Sequence, residues 1–568
     1  MIYFKRRKPI EARDKVSDLP TFILHRILSL LPKIDAARTC VLSKKWNCAW
    51  NSFPEFEFHE ILFTKQRPNL TPEYLLKFHD FINIVNNSLY RFFHHHKPIF
   101  HNDKLIIQKF ALSLNIPRVD CADSLVSTVN KWVKSVMDNG VRDLFLKISI
   151  SGKPYYILPE NTFQHGKSSI NGGPSYSKFS FLQRLVLYSV YITEDIIRDI
   201  TQNCSNIEFL GLYCCHGLES SLDISNLSKL KCLKVLGNRE HLSRVNINAP
   251  NLTTFCLEYS YVHSNHQQRR CCEMSLNCPN LKSLRLAQCG ITDRTLHSNL
   301  SRLPLLESLD INDCYLLHMI RISAPRLQNF CLSGSGNIES VGVNAPLLAS
   351  IEYTSYNTNY KDPIIFFPNN EQHPTEVVYE IDRHNVSFKV EELQEVAIPP
   401  VVEIEDLVLK CSRSITSFAN LIDGLLWSCY PKKVSICSDS IYQRNCILIL
   451  RVLLERAITS ECCVSLNRRC WRHDLKSVSM KISQRTNAED EPRLHCWNQL
   501  PDTWPVLGDF DQIMARFYDL PPEILEEINL VLDTSFIKMP KLSNSSIKCS
   551  CSGIFNWENP KVVYSSYI

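Results

Sequence analysis

The chain has 568 residues, 63 basic and 58 acidic side chains, a formal charge of +5 and an apolar share of 44%. That share supplies a folded core, and the near-balance of charge argues against a nucleic-acid or membrane surface, either of which needs clustered basic residues. At roughly 100–200 residues per domain, the length requires several domains or one long repeat array.

The first thirteen residues carry a basic cluster, Lys5-Arg6-Arg7-Lys8, which reads either as a nuclear import signal or as a solvated terminus. Met1 to Ile10 has no apolar secretory segment, and the 24 cysteines follow no regular spacing. Such a layout predicts reduced thiols and an intracellular protein of the nucleus, the cytoplasm or both. No run reaches the ~20 apolar residues of a membrane span, and the best one, Cys446 to Leu450, is cut by Arg451.

Residues 14–50 come next. Asp18 is a candidate helix N-cap, with Pro20 where an early helical proline is tolerated. Ile23, Leu24, Ile27, Leu28 and Leu31 make an apolar helical face that Pro32 ends. A second helix is predicted from about Asp35 to Trp46. Two short helices cannot bury this much apolar surface alone, so a partner or the remaining chain must cover it.

The order Asp18-Leu19-Pro20, Ile27-Leu28-Ser29, Leu31-Pro32 and Val41-Leu42-Ser43-Lys44-Lys45-Trp46 resembles an F-box. The resemblance implies a three-helix module over 14–55 that packs into a Skp-type adaptor and, through it, reaches a cullin. It implies that Leu19, Pro20, Ile23, Leu24, Ile27, Leu28, Leu31, Pro32, Leu42 and Trp46 form the adaptor-binding surface or its immediate support. Residues 56–138 then read as a helical linker and N-terminal cap, with an amphipathic stretch at Leu125–Met137.

Beyond it the chain repeats. Pro-x-Leu-x-x-Leu-x-Leu recurs from Pro250, Pro279, Pro304, Pro325 and Pro346, with serine in the first place at Ser180, Ser205 and Ser228. The spacing falls in the leucine-rich-repeat range of roughly 20–29 residues. The longer pattern is complete at Leu281, Leu284, Leu286, Cys289, Ile291 and again at Leu306, Leu309, Ile311, Cys314, Leu316. Each x-Leu-x-Leu predicts a short strand. Each cysteine fills a turn that needs a small side chain able to satisfy backbone groups. Val141, Leu144 and Leu146 make an early strand. Ile404, Leu407 and Leu409, then Val434 and Ile436, then Leu475, Val478 and Met480, are degraded copies. Glycines, a proline and serines mark 151–178 as an inserted loop.

The expected fold is therefore α/β: an N-terminal three-helix F-box followed by a curved leucine-rich-repeat solenoid with parallel strands on the concave face. Repeats occupy 139–356, degenerate repeats 357–483, and a C-terminal cap or tail 484–568, where Leu520-Pro521-Pro522-Glu523-Ile524-Leu525 has a helical look. On the strands, residues alternating with the buried leucines must face out. They include Arg184, Tyr188, Tyr213, Lys234, Glu258, Arg285, Asp310, Asn312 and Glu352, a mixed set suited to a target protein.

No GxSxG elbow, P-loop or HExxH marks an enzyme. His94-His95-His96 fits a solvated loop better than a metal site. Cys462, Cys463, Cys470 and His473 have poor zinc-knuckle spacing, and Cys549 and Cys551 lie in a serine-rich tail. No cofactor or metal is expected. Segments at 425–431 and 462–473 resemble the C-terminal parts of plant F-box leucine-rich-repeat proteins. The expectation is thus a non-enzymatic substrate receptor of a ubiquitin ligase. The alternatives are a repeat scaffold without a ligase role or a small-molecule co-receptor of the same architecture.

Overall fold

The structure, a computed structural model, describes residues 19–65, 71–95, 106–117, 122–150, 155–164, 179–218, 220–238, 242–260, 271–334, 338–355, 364–366, 376–381, 402–411, 429–439, 477–484 and 525–533. The chain divides into two units, Met1–Glu240 and His241–Ile568.

The first unit begins with three short helices, α1 (Thr21–Leu30), α2 (Lys33–Arg38) and α3 (Lys44–Asn51). Pro20 and Pro32 stand at the N-caps of α1 and α2, where the missing N–H costs nothing. Asp18 lies outside the described residues. The single helix expected over Asp35–Trp46 is broken: Ser43 adopts an extended backbone and its hydroxyl accepts from the Trp46 N–H at 3.3 Å, so α3 starts afresh.

The chain continues through β1 (Glu55–His59), α4 (Glu60–Thr64), α5 (Pro72–His95), β2 (Ile107–Ile116), α6 (Ala122–Asn139) and β3 (Val141–Ile150). Next come β4 (Tyr156–Ile157), β5 (Arg184–Tyr188), β6 (Val190–Tyr191), α7 (Glu194–Asn203), β7 (Phe209–Tyr213), β8 (Ser221–Ile224) and β9 (Cys232–Asn238). The sheet order is β1-β2-β3-β5-β7-β9, parallel and in register. Residues 56–138 are therefore more than a helical linker, since two strands of the ladder lie there. Phe110, Leu112 and Leu114 point inward, as do Val129, Trp132, Val133 and Val136 of the expected amphipathic helix. The 151–178 segment is not wholly loop either: β4 pairs with β6, and Phe163 is buried. His94 and His95 end α5 rather than lying in a loop, and His96 is outside the described residues.

The second unit holds β10 (Arg244–Asn248), β11 (Thr254–Tyr259), β12 (Glu273–Asn277), β13 (Ser283–Ala287), α8 (Asp293–Leu300) and β14 (Ser308–Asn312). Then follow β15 (Met319–Ser323), β16 (Asn329–Ser333), β17 (Ser340–Asn344), β18 (Ser350–Ser355), β19 (Ile364–Phe366), β20 (Glu376–Ile381), β21 (Val402–Cys411) and β22 (Cys429–Asp439). Strands β11-β13-β14-β16-β18-β20-β21-β22 are parallel and in register. Shorter ladders, β10-β12 and β15-β17-β19, carry alternate links between them. Ile404, Leu407 and Leu409 lie in β21, and Val434 and Ile436 in β22, as the degenerate repeats require. The last strands, β23 (Ser477–Gln484) and β24 (Leu525–Asp533), pair antiparallel, so Val478 and Met480 are not a further parallel repeat. Leu525 opens a strand, not a helix. Leu475, residues 520–524, 462–473, Cys549, Cys551 and the basic N-terminal cluster lie outside the described residues.

The eight Pro- or Ser-led copies of the repeat close the same way. The N–H groups of Leu182, Ile207, Leu230, Leu252, Leu281, Leu306, Leu327 and Leu348 each donate to the carbonyl three residues back, at 3.0–3.3 Å. The periodic Ser or Pro thus occupies the second place of a β-turn, where proline's fixed φ fits. After five of these strands comes a left-handed residue: Ser189 (φ 55°), Cys214 (50°), Gln288 (57°), Asp313 (47°) and Gly334 (69°). Its N–H donates to the end of the next strand, for example Gln288 to Asn312 at 2.7 Å. The cysteine that follows turns inward. The Cys314 thiol meets the carbonyls of Leu286 at 3.5 Å and Asn312 at 3.6 Å, and Cys215 and Cys289 repeat the pattern.

Candidate binding surfaces

The three N-terminal helices enclose a small core of Leu24, Leu28, Ala36, Trp46, Ala49 and Phe53, against which Leu19, Ile27, Leu31 and Trp50 pack half-buried. Leu24, Leu28 and Trp46 are therefore support: their side chains have no free surface for a partner. Ile23 is half-buried, and Pro20, Pro32 and Leu42 are exposed. Three apolar residues that the sequence reading did not select stand out with Leu42 (63% exposed): Phe22 at 69%, Leu30 at 72% and Val41 at 87%. Phe22, Arg26 and Leu30 fall at i, i+4, i+8 on the outer side of α1, and Val41-Leu42 form the turn before α3. Only the helical phase of Phe22 and Leu30 hinted at this.

The module is tied to the sheet. Lys33 Nζ reaches Glu55 Oε2 at 3.3 Å and Glu57 Oε1 at 3.6 Å, and lies 5.0 Å from the centre of the Phe53 ring. Lys109 on β2 completes the bridge to Glu57 at 2.8 Å. Burial would raise the Glu57 carboxyl. The Lys109 hydrogen bond and the charges of Lys33, Lys109 and His59 outweigh it and hold the group below the usual range.

In-register pairing aligns the outward residues of the first sheet in rows. One row runs Glu57, Ala111, Phe145, Val186, Gly211, Lys234, and the next His59, Ser113, Lys147, Tyr188, Tyr213, Leu236. Tyr188 and Tyr213 stack with centroids 6.1 Å apart and planes 15° apart. Lys147 lies 4.6 Å above the Tyr188 ring, and Arg184 lies 4.7 Å from the Phe209 ring. A Cβ at Gly211 would meet Tyr213 Cε2 at 2.6 Å and Phe209 Cε1 at 3.1 Å, so the two rings close over a bare backbone. Asp143 has one buried carboxylate oxygen without a hydrogen bond, and burial raises its pKa against the pull of Arg142, Arg184 and Lys109. Of the residues expected to face out, Arg184, Tyr188, Tyr213 and Lys234 do so here. Phe145 and Phe209 were missed, because an aromatic on a strand reads as core.

Glu258, Arg285, Asp310, Asn312 and Glu352 face out in the second unit, among serines, threonines and asparagines. Arg285 is held between two strands, Nε 3.5 Å from Glu258 and Nη1 2.7 Å from Asp310. Burial raises the Asp310 carboxyl even so, against the charge and hydrogen bond of Arg285. On the inner side, burial pushes the thiols of Cys215 and Cys272 up to about 12, as expected of packing groups rather than nucleophiles. No helix among the described residues is long and apolar enough to cross a membrane.

A family model for the F-box domain matches residues 16–58. The leucine-rich-repeat model of At1g61320/AtMIF1 matches 101–278, and that of the repeats in FBD-associated F-box protein At5g56370 matches 256–364. Among curated relatives, F-box/FBD/LRR-repeat protein At1g13570 of Arabidopsis thaliana is 27% identical over 233 residues, 39% of this chain and 49% of its own length. Putative F-box protein At1g49610 of the same plant is 29% identical over 257 residues, 44% of this chain and 57% of its own. Putative F-box/LRR-repeat protein At3g18150, also of Arabidopsis thaliana, is 24% identical over 323 residues, 54% of this chain and 60% of its own. The chain thus spans about half to three-fifths of the length of the curated relatives it matches. A solved chain, the internalin-like protein lmo2027 of Listeria monocytogenes, covers 66% of this chain and 83% of its own at 11% identity, with a TM-score of 0.24 too low to bear on the fold. The repeat architecture rests on the strand registers above. Three helices around a private core, followed by leucine-lined parallel strands and matched by models of both parts, place the chain in the plant-type F-box/leucine-rich-repeat family.

Proposed function

We propose that the chain is the substrate-recognition subunit of a Skp–cullin–F-box ubiquitin ligase, acting inside the cell, in the nucleus or the cytoplasm. One observation carries the reading: a helical module that has completed its own core still exposes Phe22, Leu30, Val41 and Leu42. Apolar groups in excess of a module's own packing are what a helical partner covers. In this reading a Skp-type adaptor takes that surface, with Pro20 and Pro32 at its edges. An outward sheet face holds the target, and partners supply the transfer chemistry. The receptor acts by proximity, raising the effective concentration of target lysines near an enzyme bound elsewhere.

The test is retention of a purified Skp-type adaptor by the full chain and by a Val41→Glu/Leu42→Glu variant. Both side chains are exposed, so the variant keeps its core. Adaptor retained by the parent and lost by the folded variant supports the reading. No retention by either, from folded protein, replaces it with a repeat scaffold that has no ligase role.

A further inference from the structure

The first unit's sheet face carries a specific charge imbalance. Its carboxylates already have cations beside them: Glu55 and Glu57 meet Lys33 and Lys109, and Asp143 has Arg142 at 3.8 Å. Lys147 touches the Tyr188 ring, and neither it nor Lys234 pairs with a carboxylate among the described residues. The two lysines flank an apolar platform. Phe145, Val186 and Gly211 share the row that ends at Lys234, and Tyr188 stands beside Lys147 in the neighbouring row.

Lys147 is on β3 and Lys234 on β9, three strand spacings apart in the order β3-β5-β7-β9 and two residues apart along the strands, so their backbones are roughly 16 Å apart, a span that two long lysine side chains leaning inward bring within reach of a shorter ligand. An extended peptide advances ~3.3 Å per residue and turns residues i, i+2 and i+4 to one side, so its i and i+4 side chains are ~13 Å apart. We propose that this face binds an extended acidic segment of the form acidic-x-apolar-x-acidic, running across the strands from β3 to β9. The outer carboxylates meet Lys147 and Lys234, and the middle side chain lies on Phe145, Val186 and the Phe209 and Tyr213 rings that cover Gly211. The proposal rests on the receptor reading only in calling this segment part of a degradation target; the binding itself is independent of the F-box.

The probe is a fluorescent peptide with glutamate, serine, phenylalanine, serine and glutamate in a glycine–serine frame, titrated into the full chain and followed by anisotropy. The controls replace both glutamates by glutamine, both by lysine, or the phenylalanine by alanine. Wild type should prefer the glutamate peptide over the glutamine peptide by about tenfold or more, and the preference should shrink with salt. Lys147→Glu/Lys234→Glu should lose that preference and favour the lysine peptide, a reversal that a merely damaged fold would not produce. Equal binding of the glutamate and glutamine peptides, binding of neither, or a preference that survives the double reversal would overturn the proposal. Adaptor retention on the same samples separates the two readings. Adaptor held without peptide discrimination sinks this inference alone, and peptide discrimination without adaptor sinks the receptor reading alone.

Discussion

The two units are alike inside and different outside. Inward, both stack leucine on leucine: Leu185 and Leu187 face the first core, Leu284 and Leu286 the second, all buried. Outward, the first sheet presents Phe145, Phe209, Tyr188 and Tyr213 with lysines around them, whereas the second presents Ser283, Ser308 and Asn312 around the Glu258–Arg285–Asp310 cluster. The repeat constrains the inner row because packing density punishes any change of volume there. It leaves the outer row free to specialise, and the first unit has used that freedom for aromatic groups.

The comparison can be broken most directly from the inside. Leu187→Ala and Leu286→Ala should each destabilise by about 2–5 kcal/mol in urea unfolding, and a marked inequality would mean that the two cores are not equivalent. On the outside, Gly211→Ala must displace the tips of Tyr213 and Phe209. It should cost about 1–3 kcal/mol and weaken the near-ultraviolet circular dichroism of the tyrosine pair. Arg285→Ala on the polar face should cost less, about 1 kcal/mol, because its side chain is 42% exposed and the pair is screened.

The smallest effect is a difference in acid response. Glu57 ionises more readily in the fold than in the unfolded chain, so its contribution is full above the unfolded pKa and is lost as pH falls through the folded one. Asp310 has the opposite shift: its ionised form costs stability above the folded pKa, and that cost fades as pH falls toward the unfolded value. Glu57→Gln should therefore flatten the loss of stability on acidification and Asp310→Asn should steepen it, as read from urea midpoints between about pH 3 and 6. Parallel curves for both variants would remove the contrast.

Much of this organisation was legible in the residues. All eight Pro- or Ser-x-Leu copies fall on the same β-turn, because a turn proline and inward leucines leave a periodic trace. Strands β1 and β2 left none. Their first inward groups are Phe56, Phe58 and Phe110, with Leu112 and Leu114 only at the far end of β2 and no Pro- or Ser-x-Leu turn before them, and the 24-residue α5 stands between the two strands. In the F-box the apolar residues could be named from order and spacing. Their division into core and surface could not, since Leu28 and Leu30 are chemically alike and only packing buries the first and exposes the second. The break before α3 was hidden for a similar reason. Ser43 reads as one more helical position until its hydroxyl is seen to cap Trp46.

The tie from Lys33 to β1 and β2 also has a purely geometric consequence. From β1 to β9 the first sheet spans five strand spacings, about 24 Å, so any rotation at its F-box end would act through a long lever. A swing of roughly 5° at that point would carry the Lys234 end sideways by about 2 Å, more than half the length of one residue of an extended chain. The Lys33–Glu55, Lys33–Glu57 and Lys109–Glu57 contacts brace the lever at its short end, where any slack is multiplied at the distant strands.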